Sequence, residues 1–319
     1  MAGFNKRGVF SNFFWKRLKT EPLTSIIKYA SKADNGLDVQ LRGNYINIYY
    51  KGGNILKIKP KSFFFDKFYF YTGCKKEDRS TRKTIILDAS KGKEQEGLSK
   101  KEALQIVNEL EDQADKLIKL LDISAEKYFD TAKSVIDKWL EIQQSALDIN
   151  HNEKASQHLI SLYNRSFDTS DIIVIDLEYA ISQKASFAEK NGNPRPDIIG
   201  VDRSGQIHVL ELKYRFQATE GDAGIEQHIL DFEKTIGKDS KGDFVSEMYD
   251  LVESKKELGL IDCQCNVDIH KKPVFDLIFR GTEQDVSRFV TQYGHFKTDG
   301  RVHNIFYLLD NSNYRLFDK

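Results

Sequence analysis

The chain has 319 residues, 40% apolar and 30% charged, with 48 Lys and Arg balanced by 48 Asp and Glu. Such a composition suits a soluble globular protein able to bury a substantial core, in one large domain or two ordinary ones. No apolar run approaches the roughly 18 residues of a membrane helix. The basic, aromatic start MAGFNKRGVFSNFFWKRLK lacks the apolar centre of a secretory signal. Three cysteines, at 74, 263 and 265, make no disulfide framework. The expected compartment is therefore the reducing cytoplasm, with no membrane partner.

The zero net charge hides an asymmetry. Residues 1–98 hold roughly 20 Lys and Arg against about 9 Asp and Glu, and the remainder roughly 28 against 39. A basic first third suggests contact with a polyanion. Lysines that merely solvate the outer faces of strands would give the same count.

In chain order, PLTSIIKYASKA (22–33) predicts a short helix, with Pro22 early, where its missing N–H costs nothing. LDVQLRGNYINIYYKGGNILKIK then alternates apolar and polar residues around turns at Arg42-Gly43-Asn44 and Lys51-Gly52-Gly53-Asn54, the pattern of a three-stranded meander. KSFFFDKFYFYTG adds an aromatic strand, and RKTIILD (82–88) a last one. Residues 89–98 read as a polar linker. Ser99 and Glu102 form a capping box. The helix they open carries Leu104, Val107, Leu110, Ala114, Leu117 and Leu121 at steps of three and four. A second helix runs from about 125 to 147, with Tyr128, Ala132, Val135, Trp139 and Ile142 on its buried side. Three regions follow: a β-rich basic part (1–98), a helical hairpin connector (99–150) and a mixed α/β domain (151–319).

Within 151–319, NEKASQHLISLYNR predicts a helix and DIIVIDLEYAI (171–181) a strand. RPDIIGVD (195–202), a turn at Arg203-Ser204-Gly205 and QIHVLELKYR (206–215) predict a hairpin. Helices are predicted at 224–236, 243–260 and 283–293, and strands at 274–281 and 302–310. The order α-β-β-β-α-α-β-α-β indicates an α/β sandwich with a mixed sheet.

The hairpin carries the chemistry. Side chains two apart on a strand share a face, so Glu211 and Lys213 project together from a segment whose neighbours, Val209, Leu210 and Leu212, are apolar. A carboxylate and an ammonium in such a strand are costly to bury without a purpose. Asp197 opens the preceding strand and flanks the turn at a similar distance. Two carboxylates converging near one lysine make a natural site for a hard divalent cation, which takes a few carboxylate oxygens plus water and leaves room for phosphate. A salt-bridged Asp197–Lys213 pair at a sheet edge would use the same residues.

Pro196-Asp197 followed by Glu211-Leu212-Lys213, with strand and turn between, resembles the signature of the PD-(D/E)xK, or restriction-endonuclease-like, nuclease superfamily. The flanking helices are similar to its αβββαβ core. The resemblance covers 151 to about 310 and does not reach the N-terminal sheet or the helical hairpin. It implies phosphodiester hydrolysis assisted by Mg2+ or Mn2+, most of all in DNA. By the same resemblance Asp197, Glu211 and the backbone carbonyl of Leu212 are metal ligands, and Lys213 is catalytic. Members of that superfamily often add a further acidic residue. Glu178, preferred because its strand should lie beside that of Asp197, and Glu153, from the first helix, are the candidates. Gln227 resembles a helix glutamine that some members place near the site. His228 reads as a helix-surface residue. Many members act as dimers, so a homodimer is an expectation.

The N-terminal sheet interleaves aromatics with Lys51, Lys57, Lys59 and Lys61, a pattern able to hold nucleic acid by stacking and phosphate contact. The same stripe also reads as core. No P-loop, dinucleotide-binding glycine motif, G-x-S-x-G or HExxH occurs. Cys263, Cys265 and His270 lack zinc-knuckle spacing and an evident fourth ligand. The alternative to a nuclease is a non-catalytic nucleic-acid-binding or scaffold protein that keeps the fold.

Overall fold

A computed structural model describes residues 7–8, 10–65, 116–147, 152–181, 194–216, 219–221, 224–312 and 314–317, with only the backbone at 138–139 and 142–147. The first part opens with a helix that no sequence pattern signals, α1 (Asn12–Leu18), whose N-cap Ser11 accepts from the Phe14 N–H. Helix α2 (Leu23–Ser31) buries Leu23, Ile26, Ile27 and Ala30, one stripe at steps of three and four. Strands β1 (Asp38–Leu41), β2 (Ile46–Tyr50), β3 (Gly53–Lys59) and β4 (Ser62–Phe64) form an antiparallel meander in sequence order. Helix α3 (Ala125–Leu147) lies against it: Phe129 stacks on Tyr29, and Tyr128 Oη donates to the Ile55 carbonyl at 2.6 Å. The expected strand at 82–88, the linker 89–98 and most of the helix from Ser99 lie outside the described residues.

The second sheet is built from β5 (Ile172–Leu177), β6 (Ile198–Asp202), β7 (Ile207–Tyr214), β8 (Val274–Gly281) and β9 (Asn304–Leu309), in that spatial order. β5, β6 and β7 pair antiparallel, whereas β8 and β9 join in parallel. Parallel neighbours need crossovers, here supplied by α5 (Ile225–Lys234) and α6 (Asp243–Glu257) before β8 and by α7 (Glu283–Tyr293) and the short α8 (His295–Thr298) before β9. Helix α4 (Asn152–Tyr163) precedes the sheet. The fold is thus mixed α/β, an antiparallel four-stranded sheet beside a separate mixed five-stranded one.

The strand expected over 171–181 is shorter. It stops at Leu177 because Glu178 takes a left-handed backbone, φ 49°. The chain still follows β6, with Glu178, Tyr179 and Ile181 donating to the carbonyls of Asp197, Pro196 and Pro194. Side chains alternate along β7, so its two faces feed two apolar clusters. Val209 joins the larger, which runs on into the N-terminal sheet; Leu210 and Leu212 join the smaller, with Ile160 of α4.

Buried charge ties the two parts together. Asp176 on β5 is fully buried and paired with Arg7 (3.0 Å) and Arg42. Asp38 meets Arg165 at 3.0 Å, and Lys255 on α6 donates to Gln40 at 3.1 Å. The β2–β3 turn also rests on α4. Gly52 has φ 84°, and a Cβ there would lie 2.9 Å from the backbone carbonyl of Lys154.

Candidate active site

Asp197 stands at the entry to β6, and Glu211 and Lys213 stand on β7. The register Ile198↔Leu210 puts Asp197 opposite Glu211 and Pro196 opposite Leu212. Asp197 Oδ2 accepts from the Leu212 N–H at 2.9 Å, so its carboxylate sits between Glu211 and Lys213 along the strand. In an extended strand the N–H and C=O of one residue point the same way. The Leu212 carbonyl therefore also faces the β6 side, where Pro196 has no N–H to offer it.

Two helices complete the surroundings. From α4, Gln157 donates through Nε2 to Asp197 Oδ1 at 2.7 Å. One turn earlier on the same face, Glu153 lies within electrostatic reach of Glu211 and Lys213. From α5, His228 Nε2 is 2.9 Å from Glu211 Oε1, and Lys213 Nζ is 3.0 Å from the same oxygen. Glu211 and Lys213 are both buried, at 4% exposure each, which makes this pairing obligatory rather than incidental.

Two of the three carboxyls are pushed up and one is held down. Burial pushes Asp197 well above the usual carboxylate range; the charges of Glu211 and Glu153 add to it, and the Leu212 N–H and Lys213 only partly oppose. Burial also works against Glu211, but the hydrogen bonds and charges of His228 and Lys213 win and hold it below the ordinary range. Glu153 is raised by burial, with Glu211 adding and Lys213 opposing. The cluster therefore opposes the ionisation of Asp197 and Glu153 together beside Glu211, an opposition that a divalent cation would relieve. The oxygens of Asp197, Glu211 and Glu153 do not all come within 4.8 Å of one another, a closeness reached among the described residues by His208, Asp276 and His303. Magnesium does not demand such a closed set, since it keeps several waters beside one or two carboxylates.

The other sequence candidates fall elsewhere. Glu178 turns to Lys154, 3.6 Å away, and Asp176, two residues before it, is consumed by the two buried arginines. Gln227 bonds Asp231 within α5 at 2.8 Å. Its neighbour His228, expected on the helix surface, is the one that reaches Glu211. Gln157 and His228 have a sequence signal: each lies at helical spacing from buried apolar positions, Ile160 and Ile225. Cys265 is buried and Cys263 exposed in the loop after α6.

On the N-terminal sheet, Lys57 lies over the Tyr45 ring (4.3 Å) and Lys59 over Phe64 (4.9 Å), both on the outward side of β3. Lys51, in the turn beside α4, is paired with Asp137 at 2.7 Å. Lys61 lies in the β3–β4 turn and is exposed. Among the described residues no helix is long and apolar enough to cross a membrane. Comparison with protein-family models, curated proteins and solved structures returned no match to this chain.

Proposed function

We propose that the chain is a divalent-metal-dependent nuclease of the PD-(D/E)xK type, hydrolysing phosphodiester bonds in nucleic acid, DNA foremost. The observation that carries this reading is the meeting of Asp197, Glu211 and Lys213 at one end of the β6–β7 hairpin, with Glu153 and His228 closing in from two helices. Asp197, Glu211 and the Leu212 carbonyl would hold Mg2+ or Mn2+. Such an ion, when bound, polarises the scissile phosphate and acidifies a water.

The protein's own groups do the rest. Lys213 directs its ammonium to where charge grows on the phosphoryl oxygens and orients the attacking water. His228 and Lys213 keep Glu211 ionised. Gln157 and the Leu212 N–H fix the rotation of Asp197. Lys57, Lys59 and Lys61, beside the aromatics of the N-terminal sheet, would lead the polyanion toward this end of the molecule.

The test is incubation of the purified protein with plasmid, linear DNA and RNA, with Mg2+ or Mn2+, beside Lys213→Ala. Wild-type cleavage reduced at least about 100-fold in the variant is the expected outcome, the scale of losing one transition-state donor. Absent cleavage, or cleavage indifferent to the variant on every substrate, overturns the reading in favour of a non-catalytic binding protein.

A further inference from the structure

At the opposite end of β7 from Glu211 and Lys213, and on its other face, a second set of chemistry-bearing side chains converges. His208 opens β7, Asp276 lies on β8, and His303 immediately precedes β9. His208 Nδ1 is 2.5 Å from Asp276 Oδ2, and His303 Nδ1 is 3.2 Å from Asp276 Oδ1. One ligand atom from each of the three lies within 4.8 Å of those of the other two.

Ligands of a zinc-type ion sit roughly 2.0–2.2 Å from it, hence roughly 3.3 Å from one another in a tetrahedron. The observed spacing needs only small side-chain rotations to reach that. Two imidazoles and one carboxylate form a donor set suited to zinc, cobalt or nickel rather than to magnesium, which prefers oxygen.

The surroundings match those of built metal sites. His208 Nε2, the ring nitrogen turned away from the cluster, lies 3.5 Å from Asp202 Oδ2, too far for a hydrogen bond as it stands but close enough for that carboxylate to favour a proton on Nε2 and leave Nδ1 to a metal. Asp276 Oδ1 also accepts from the Asn304 N–H at 2.8 Å, which holds the carboxylate in place. Asp276 and His208 are buried, at 0% and 4% exposure, whereas the His303 side chain is half exposed and puts the cluster's outer edge at the surface.

We propose that His208, Asp276 and His303 form a binding site for one zinc-type divalent ion, separate from the nuclease centre, that cross-links the first residues of β7, β8 and β9. Binding releases to solvent the proton between His208 Nδ1 and Asp276, and the proton on His303 Nδ1 passes by way of solvent to that ring's Nε2, so that two N–metal bonds and one O–metal bond form. The site does not depend on the nuclease reading.

The test is titration of the full chain with Co2+, followed by visible d–d absorption, and with Zn2+, followed by the thermal midpoint. Both are done in a Glu211→Gln background so that the other centre is weakened. One equivalent of Co2+ giving a tetrahedral-type spectrum is expected. It should weaken in a further His303→Ala variant by more than the roughly 10–100-fold typical of losing an outer-shell partner. The midpoint gain with Zn2+ should vanish in the same variant. His303 is surface-facing, so this variant retains the far-ultraviolet circular dichroism of its parent. Absence of saturable one-equivalent binding, or binding undiminished by His303→Ala, overturns the proposal. Loss of DNA cleavage in Glu211→Gln bears only on the nuclease reading.

Discussion

Glu153, like Asp197, is a carboxyl whose charge the site opposes without a cation. Its folded pKa is raised, so the stability linked to it is fully present below the unfolded pKa and is lost as pH rises through the folded one. Glu153→Gln keeps that stability at neutral pH. The expected outcome in metal-free buffer is a thermal midpoint at or above wild type at pH 7, with the difference closing on acidification. In cleavage assays the same variant should require about 10-fold or more additional Mg2+, read from metal titrations of the initial rate. A lower midpoint with an unchanged metal requirement would remove Glu153 from the cluster. Asp197, Glu211 and Lys213 are legible from sequence because a period-two strand and a tight turn are local features. Glu153, Gln157 and His228 are harder. Which face of α4 or α5 meets the sheet edge is decided by packing over long sequence separations, and Glu178 looks better placed only as long as β5 is assumed to run straight through it.

At the scale of elements, β6 lies close to β5 on the side away from β7. Gly200 makes this possible, since a Cβ there would fall 2.4 Å from Ile172 Cγ2. Gly200→Ala should cost about 1–3 kcal/mol through overpacking, measured as a fall in the urea midpoint. β3 contributes differently. Its inward residues Ile55, Leu56 and Ile58 are core, and its outward Lys57 and Lys59 are the side chains proposed to meet phosphate. Lys57→Glu with Lys59→Glu should weaken DNA binding and lower the slope of log K against log salt by about 0.9 for each phosphate no longer neutralised, with stability unchanged; an unaltered slope rejects this sheet as the guide. The meander, the hairpin and the α4–β9 order are readable from periodicity and turn residues. Helix α1 is not, because its seven residues, NFFWKRL, are too few to display a period.

Over the whole molecule the separation into a basic first part and an acidic second part, evident from sequence, coexists with a joint the sequence does not reveal. Arg42 and Asp176 are 134 residues apart, so nothing local announces their pairing. Asp176 lowers its cost of burial through guanidiniums from the other part. Arg42→Met should therefore destabilise the full chain by about 3–5 kcal/mol in urea unfolding, because a buried carboxylate loses one of its two partners. By the same argument residues 151–319 expressed alone should unfold without cooperativity, and a sharp wild-type-like transition would show that the joint is dispensable. The packing of Gly52 on Lys154 carries a final consequence. A hairpin tip a hundred residues upstream acts as a doorstop for the helix bearing Glu153 and Gln157. Any side chain at position 52 would shove that helix aside and retune the proposed metal pocket from a distance, without altering one of its proposed ligands.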